Sequence, residues 1–268
     1  MTKYKMIAID LDGTLLKDDK TISLVNMRAL LDAMKAGVRV CVSTGRAWPG
    51  ARAFARQIGC NAPVITSNGA MLVNSETEEI LYECTLAPEI ARDLYALGNE
   101  LGMSQIVWAK NILYGNRLDA RLYDYGNRFG KMEPRKVFDF DELNANGILK
   151  ILWYDEPERI SSIQKEVCAR LPKGDVTVCT SNAEFLEFFS SKVSKAEGLN
   201  KIIDMYGIDA SEVIALGDGS NDIEMLRWAG LGVAMWNAAD SVKAEANVVT
   251  DTNEADGVAK IIREYILG

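Results

Sequence analysis

Two carboxylates follow the first apolar segment of the chain, and this arrangement constrains the fold more than any other feature. Met6–Ile9 has the composition of a buried strand, and Asp10 and Asp12 follow it two positions apart. In a continuing strand both side chains would point to one face, where their charges repel unless a cation or a shared proton is present. Gly13 then permits a sharp turn. The segment predicts either a Mg²⁺ site or an ordinary Asp-Gly turn.

Composition restricts the classes of protein to which the chain can belong. Its 268 residues, 48% hydrophobic and 25% charged, can build one large or two modest globular domains. The net charge of −8 argues against a nucleic-acid partner. No apolar run approaches the roughly 18 residues of a membrane span, so we expect no membrane association. The chain contains no histidine, which excludes Ser-His-Asp triads and histidine-dependent zinc sites.

The five cysteines show no spacing typical of a metal site, and their number is odd: Cys41, Cys60, Cys84, Cys168 and Cys179. We interpret them as buried free thiols in a reducing compartment. The N-terminus leads directly into a predicted strand, with no signal-peptide pattern. These features predict a cytoplasmic protein.

Strand and helix patterns alternate in the first part of the chain. Strands are predicted at 6–9, 38–42 and 64–66, with helices at 24–36 and 49–58 between them. This order predicts parallel strands joined by right-handed crossovers, which is an α/β fold with a Rossmann-like sheet. Ligands of such sheets bind beyond the carboxyl ends of the strands. The sequence places Asp10, Thr44 and Asn68 at those ends.

The pattern changes after residue 72. A hairpin is predicted around 74–79, helices at 88–101 and 157–171, and strands at 105–114, 148–154, 176–180 and 185–189. We predict that residues 85–187 form an α/β cap domain inserted into a core domain made of residues 1–84 and 188–268. Its aromatic residues either belong to its core or line a substrate face, among them Trp108, Tyr114, Tyr123 and Tyr125.

Two further polar segments follow the insertion. Ser194 to Glu197 fits a capping box, so Lys195 lies at a helix start, where backbone N–H groups attract anions. Lys195 is therefore an anion ligand or an ordinary solvated lysine. A strand at 213–216 leads into 217–222, which is a glycine-rich turn before a capped helix or a second acidic part of the site. Strands at 231–235 and 247–250 and a helix at 257–267 complete the predicted elements.

Together these segments resemble the motifs of the haloacid dehalogenase (HAD) superfamily of phosphotransferases. Asp-Leu-Asp-Gly-Thr-Leu at 10–15 is similar to the first motif, Thr44 to the second, Lys195 to the third and Gly-Asp-Gly-Ser-Asn-Asp at 217–222 to the fourth. The resemblance covers the whole chain in order. It implies a HAD-like core sheet with an inserted cap.

Other segments resemble the Cof-type subfamily of sugar-phosphate phosphatases. They are Ser-Thr-Gly-Arg at 43–46, Ser-Asn-Gly-Ala at 67–70 and the cap that follows the third strand. The subfamily implies hydrolysis of small phosphorylated metabolites.

The resemblance also implies a role for each matching residue. Asp10 is the nucleophile that becomes an aspartyl phosphate, and Asp12 protonates the leaving alkoxide and then deprotonates water. Mg²⁺ is bound by the Asp10 carboxylate, the Asp12 backbone carbonyl and Asp218, and Asp222 anchors metal-bound water. Phosphate oxygens are held by the Leu11 N–H, Thr44, Gly45, Lys195 and Asn221. We expect partial burial and the neighbouring Asp10 to raise the pKa of Asp12, which the metal opposes.

Three functions use this chemistry. The first is a Mg²⁺-dependent phosphatase whose substrate is a small phosphate ester. The second is a phosphomutase, which returns the phosphoryl group to a sugar instead of water. The third is a signalling receiver domain, which carries a phospho-aspartate without multiple turnover. The second acidic segment and the large insertion argue against the receiver domain.

Overall fold

The computed structural model of the chain describes residues 3–171, 174–180 and 182–268. They divide into two compact units. The first unit contains the described residues up to Ala47, then Ala51–Tyr82 and Ser194–Gly268, and the second contains Trp48–Gly50 and Glu83–Val193. The second unit thus extends beyond residue 187, because the strand that crosses this position stays paired within it.

Strands and helices alternate along most of the chain. The described strands are β1 (Met6–Ile9), β2 (Arg39–Val42), β3 (Val64–Thr66), β4 (Met71–Val73), β5 (Ile80–Glu83), β6 (Ser104–Ala109), β7 (Ile112–Gly115), β8 (Arg135–Lys136), β9 (Lys150–Tyr154), β10 (Val176–Cys179), β11 (Phe185–Ser190), β12 (Val213–Gly217), β13 (Leu231–Ala234) and β14 (Val248–Val249). The described α-helices are α1 (Leu24–Lys35), α2 (Trp48–Ile58), α3 (Pro88–Glu100), α4 (Ala120–Arg128), α5 (Phe140–Ala145), α6 (Pro157–Arg170), α7 (Lys195–Tyr206), α8 (Ile223–Trp228), α9 (Asp240–Lys243) and α10 (Gly257–Ile262). A π-helical segment, Arg263–Leu267, continues α10.

The first unit is built on a parallel sheet with the strand order β14-β13-β12-β1-β2. β3 was expected to be another parallel strand of this sheet, but its parallel pairing is one isolated bridge, between Ile65 and Ser43, the residue that follows β2. Its regular pairing is antiparallel to β4, in a separate sheet with the order β3-β4-β5. The predicted carboxyl edge nevertheless forms, because the Thr44 N–H donates to the Ile65 carbonyl over 2.9 Å.

Helix α7 is fixed to this sheet by its cap and by its apolar face. The Ser194 hydroxyl accepts the N–H of Glu197 over 3.2 Å, which is the first half of the predicted capping box. Leu199 and Ile202 are fully buried in a cluster with Met6 of β1. Each such side chain contributes about 1.5–3 kcal/mol by leaving water. These contacts place the start of α7 against the sheet.

The second unit contains a sheet with the order β10-β11-β9-β6-β7-β8. The prediction of one strand over 105–114 was wrong, because Lys110 and Asn111 have φ values of 44° and 63° and form the turn of a β6-β7 hairpin. Trp108 and Tyr125 are buried, and the Trp108 indole N–H donates to the Tyr125 hydroxyl over 3.2 Å. These two aromatic residues therefore belong to the core of the unit.

The five cysteines are all free, but they are not all buried. Cys41 and Cys60 are buried, and burial raises the pKa of Cys60 to about 12. The expectation of a buried thiol was wrong for Cys168, which lies on an exposed face of α6. Within the described residues, we find no helix with the length and apolar surface needed to cross a bilayer.

Candidate active site

A buried lysine joins two carboxylates at the carboxyl end of the parallel sheet. Asp10 directly follows β1, and its N–H donates to the Leu216 carbonyl of β12 over 3.0 Å. The Lys195 ammonium donates to Asp10 Oδ1 over 2.6 Å and to Asp222 Oδ1 over 2.5 Å. The Lys195 side chain is fully buried, so the alternative of a solvated lysine is wrong.

Asp222 and Asp218 are held by the loop after β12. The second oxygen of Asp222, Oδ2, accepts the N–H groups of Asp218 and Gly219 over 3.0 and 2.9 Å. Asp218 Oδ1 accepts the Thr14 hydroxyl over 2.8 Å, so a residue of the first motif orients a residue of the fourth. Asp10, Asp218 and Asp222 each offer a carboxylate oxygen, and these oxygens lie within 4.8 Å of one another.

The three carboxylates carry more negative charge than Lys195 balances, which favours binding of a divalent cation. Burial raises the pKa of Asp10 to about 8, although Lys195 opposes the rise. Burial likewise raises the pKa of Asp218 to about 6, with Thr14 opposing. Burial would lower the pKa of Lys195, but Asp10 and Asp222 outweigh burial and raise it. One ammonium cannot balance three carboxylates, and carboxylate oxygens suit a hard cation. The donor set therefore fits a divalent metal.

Asp12 lies in a different environment. β1 ends at Ile9, so the strand does not continue to Asp12, and the expected alignment with Asp10 on one face does not apply. The Asp12 carboxylate instead accepts Arg46 Nε over 2.6 Å and Arg46 Nη2 over 2.7 Å. Lys20 Nζ donates to Asp12 Oδ1 over 2.9 Å. The Asp12 carboxylate is absent from the group of three described above.

The expected rise in the pKa of Asp12 was wrong. Burial raises this pKa, but the hydrogen bonds and charges of Arg46 and Lys20 outweigh burial, so the pKa lies below its usual value of 3.8. The bidentate Arg46 contact is the stronger of the two, because it combines charge with two parallel donors. Asp12 is therefore held ionised in this structure.

The residues expected to bind phosphate surround the same sheet edge. Thr44 is buried, and its hydroxyl accepts the Arg46 N–H over 3.1 Å. The Asn221 amide donates to Asn68 Oδ1 over 2.9 Å, and Gly45 packs against the same Asn68 amide. Leu11 follows Asp10, and its carbonyl accepts the Leu16 N–H over 2.8 Å.

Four residues at the site were given no chemical role from the sequence, although Asn68 was placed at the ligand-binding edge: Thr14, Lys20, Arg46 and Asn68. Arg46 and Asn68 stood inside segments that carried the resemblance, so a signal for them existed. Thr14 also belonged to the first motif. Lys20 had no signal, because its contact with Asp12 depends on how the loop between β1 and α1 folds back.

A parallel α/β sheet with these residues at its carboxyl edge defines the HAD class of phosphotransferases. The sequence model of the haloacid dehalogenase-like hydrolases matches residues 7–262, and the chain belongs to this family. It is a HAD-family phosphatase of the Cof type, as its motifs indicated. The family implies a divalent metal and a phosphate-ester substrate.

Individual relatives match the chain over nearly their whole length. A 5-amino-6-(5-phospho-D-ribitylamino)uracil phosphatase of Bacillus subtilis is 34% identical over 270 residues, which cover 98% of each chain. The crystal structure of a haloacid dehalogenase-like hydrolase from Bacteroides thetaiotaomicron has a TM-score of 0.87 and 32% identity, covering 97% of this chain and 98% of that one. A HAD subclass IIB sugar phosphatase has a TM-score of 0.84 and 25% identity, covering 97% and 98%. The predicted fold class is confirmed.

Proposed function

We propose that this chain is a Mg²⁺-dependent phosphatase of sugar phosphates and related polyhydroxy phosphate esters, acting through an aspartyl phosphate on Asp10. The observation that carries the proposal is the contact of the buried Lys195 with both Asp10 and Asp222. A cationic group fixed beside a carboxylate nucleophile offsets the repulsion between that carboxylate and a phosphate dianion. Two of the similar proteins support this substrate class. One is named for a substrate with a phosphorylated ribityl chain, and the other is named a sugar phosphatase.

Asp10 performs the first chemical step. One of its carboxylate oxygens attacks phosphorus, the bond from phosphorus to the ester oxygen breaks, and the aspartyl phosphate remains on Asp10. Lys195 fixes the Asp10 carboxylate through Oδ1, which holds the nucleophile in line before attack. A bound Mg²⁺ would be held by Asp10, the Asp12 carbonyl and Asp218, with Asp222 in support, and would neutralise charge on the transferring group.

Asp12 handles the proton in both steps. It gives a proton to the leaving alkoxide and later takes one from the water that attacks phosphorus, as the bond from phosphorus to Asp10 breaks and the Asp10 carboxylate is restored. Arg46 and Lys20 hold Asp12 ionised, which is the form that the second step requires. Proton donation in the first step requires that the carboxylate leave these two partners.

The phosphate oxygens that do not react are bound by other groups at the same edge of the sheet. We assign this role to the Leu11 N–H, Thr44, Gly45, Lys195 and Asn221. Fixed donors of this kind stabilise charge as it develops, because they do not reorient during the reaction.

We further propose that the second unit is a cap domain that selects the leaving group and limits access of water. Free cysteines are consistent with a reducing compartment, and a cytoplasmic location stays a prediction.

The test is a panel of phosphorylated metabolites assayed for phosphate release with Mg²⁺. It includes sugar phosphates, a phosphoribitylamino uracil, p-nitrophenyl phosphate and a nucleoside monophosphate. We expect multiple turnovers with at least one polyhydroxy phosphate, loss of activity in EDTA, and recovery when Mg²⁺ is restored.

Other outcomes would contradict the proposal in distinct ways. Transfer of phosphate between sugars without net release would indicate a phosphomutase. A single slow turnover with every substrate would indicate a receiver domain. Full activity in EDTA would contradict the role of the metal.

A further inference from the structure

The turn after β3 is strained and buried, and the proposed mechanism gives it no role. Ser67, Asn68 and Gly69 all have positive φ values, 50°, 60° and 105°. This backbone conformation is uncommon for serine and asparagine, and it persists only where surrounding contacts compensate for it. Ser67 and Asn68 are nevertheless only 4% and 9% exposed. Contacts with neighbouring segments therefore compensate for the strain of this turn.

The first set of contacts holds the loop after β2. The Asn68 N–H donates to the Thr44 carbonyl over 3.1 Å, and the Ser67 N–H donates to the Arg46 carbonyl over 2.8 Å. Between these two bonds lies Gly45, where an added Cβ atom would stand 2.9 Å from Asn68 Oδ1. The turn thus fixes both ends of a loop that we assign to phosphate binding.

The second contact is made by the side chain of Asn68. Its Oδ1 accepts one N–H of the Asn221 amide over 2.9 Å. An amide group is planar and carries two N–H donors, so fixing one of them also fixes the direction of the other. The remaining N–H of Asn221 is thereby oriented for an external acceptor such as a phosphate oxygen.

The third contact involves the start of α7. Gly69 lies so close to the Ser194 carbonyl that a Cβ atom at this position would overlap it. Ser194 is the N-cap residue of the helix whose first residue is Lys195. One turn of three residues therefore contacts each of the segments that carry Thr44, Asn221 and Lys195.

We propose that Asn68 is a positioning residue for phosphate binding, which orients the Asn221 amide while its turn holds the three phosphate-binding segments together. The inference rests on the proposed phosphatase function. Asn68 acts through Asn221 and needs no contact with the substrate.

The main test variant is Asn68→Gly, because glycine adopts the same left-handed backbone conformation and the whole side chain, with its amide, is removed. We expect the inhibition constant of inorganic phosphate and the KM of p-nitrophenyl phosphate to rise about tenfold, as for a lost hydrogen bond to a charged group. We expect kcat to change much less, because the contact serves binding of the phosphate group before and during the reaction. Unfolding is followed in parallel.

Asn68→Ser is the second variant if glycine prevents folding. Ser67 already adopts a positive φ in the same turn, and the serine side chain is too short to reach Asn221. For Asn68→Ser we expect the same rise in the inhibition constant of phosphate and in the KM of p-nitrophenyl phosphate. The matched control is Asn74→Ala, since Asn74 also supports a turn by accepting the N–H groups of Glu76 and Thr77 over 2.9 and 3.1 Å. We expect unchanged kinetics for the control.

A double variant tests whether Asn68 acts through its partner. If Asn68 acts only through Asn221, the double variant Asn68→Gly, Asn221→Ala should bind phosphate as tightly as Asn221→Ala alone. The inference would be overturned if the two single losses of phosphate affinity multiplied in the double variant, or if Asn68→Gly left the phosphate affinity unchanged. Phosphate binding is also measured by calorimetry. A wild-type protein that binds phosphate without turnover would reject the phosphatase proposal, while the effect of Asn68→Gly on that binding would still decide this one.

Discussion

Asp10 and Asp12 are two positions apart in the chain, but the structure gives them opposite environments. Asp10 is buried with Asp222 around a single lysine, and burial raises its pKa to about 8. The Asp12 side chain is 39% exposed and contacts two cations, Arg46 and Lys20. The negative charge is in excess around Asp10, which suits a metal site, and compensated around Asp12, which suits a group that exchanges protons with water. Proximity in sequence thus says little about the electrostatics of either carboxylate.

The largest effect expected from this comparison is that of Asp10→Asn. An amide cannot act as the nucleophile, so kcat should fall by about 10⁴-fold or more. Rapid-mixing experiments with p-nitrophenyl phosphate should show no initial burst of nitrophenol. A retained burst would contradict the covalent route through Asp10.

Asp12→Asn should have the next largest effect, of a different kind. Loss of a general acid and base lowers kcat by about 10³-fold. Because nitrophenol leaves without help from an acid, phosphorylation of Asp10 should still occur, whereas hydrolysis should be slow. We therefore expect a burst of nitrophenol followed by slow turnover. Absence of the burst would show that the two carboxylates do not divide the reaction in this way.

The pH dependence of stability should have opposite signs for the two environments. In the metal-free protein, the folded pKa values of about 8 for Asp10 and about 6 for Asp218 lie above their usual 3.8. The folded state then binds more protons than the unfolded state, so stability should fall as the pH rises from about 4 to 8. The pKa of Asp12 is lowered, so its contribution is present above 3.8 and is lost only at lower pH.

Urea unfolding at several pH values measures this slope. Saturating Mg²⁺ should remove much of it, because a bound cation favours the ionised carboxylates. Asp10→Asn in EDTA is the matched control and should show a shallower slope than the wild-type protein. Equal slopes in the two proteins would contradict the raised pKa of Asp10.

The smallest effect should come from Lys20→Ala. The Lys20 side chain is 56% exposed, and its ion pair with Asp12 is the weaker of the two on this carboxylate. An exposed ion pair contributes up to about 1 kcal/mol, so we expect less than about a fivefold change in kcat/KM. An effect comparable to that of Asp12→Asn would show that Lys20 takes part in the reaction itself.

Much of the site could be predicted from sequence because its residues stand at strand ends. Asp10, Thr44 and Asp218 each follow a short apolar segment, and the carboxyl ends of parallel strands share one edge. Lys195 could be placed at a helix start for a similar reason, since the capping residue before it is recognisable. The turn between β6 and β7 was missed, because Lys110 and Asn111 lack the glycine that usually marks such a turn.

The sequence alone determined which acidic and polar residues lie at the ends of strands and at the start of a helix. Apolar periodicity and turn residues give this information because they act within a few positions of the chain. Only the tertiary structure decided the charge environment of each carboxylate. Lys195, which contacts Asp10, lies 185 positions away in the chain, and Arg46, which contacts Asp12, lies 34 positions away. The pKa of a carboxyl group depends on burial and on charges within a few ångströms. Those neighbours exist only once the chain has folded.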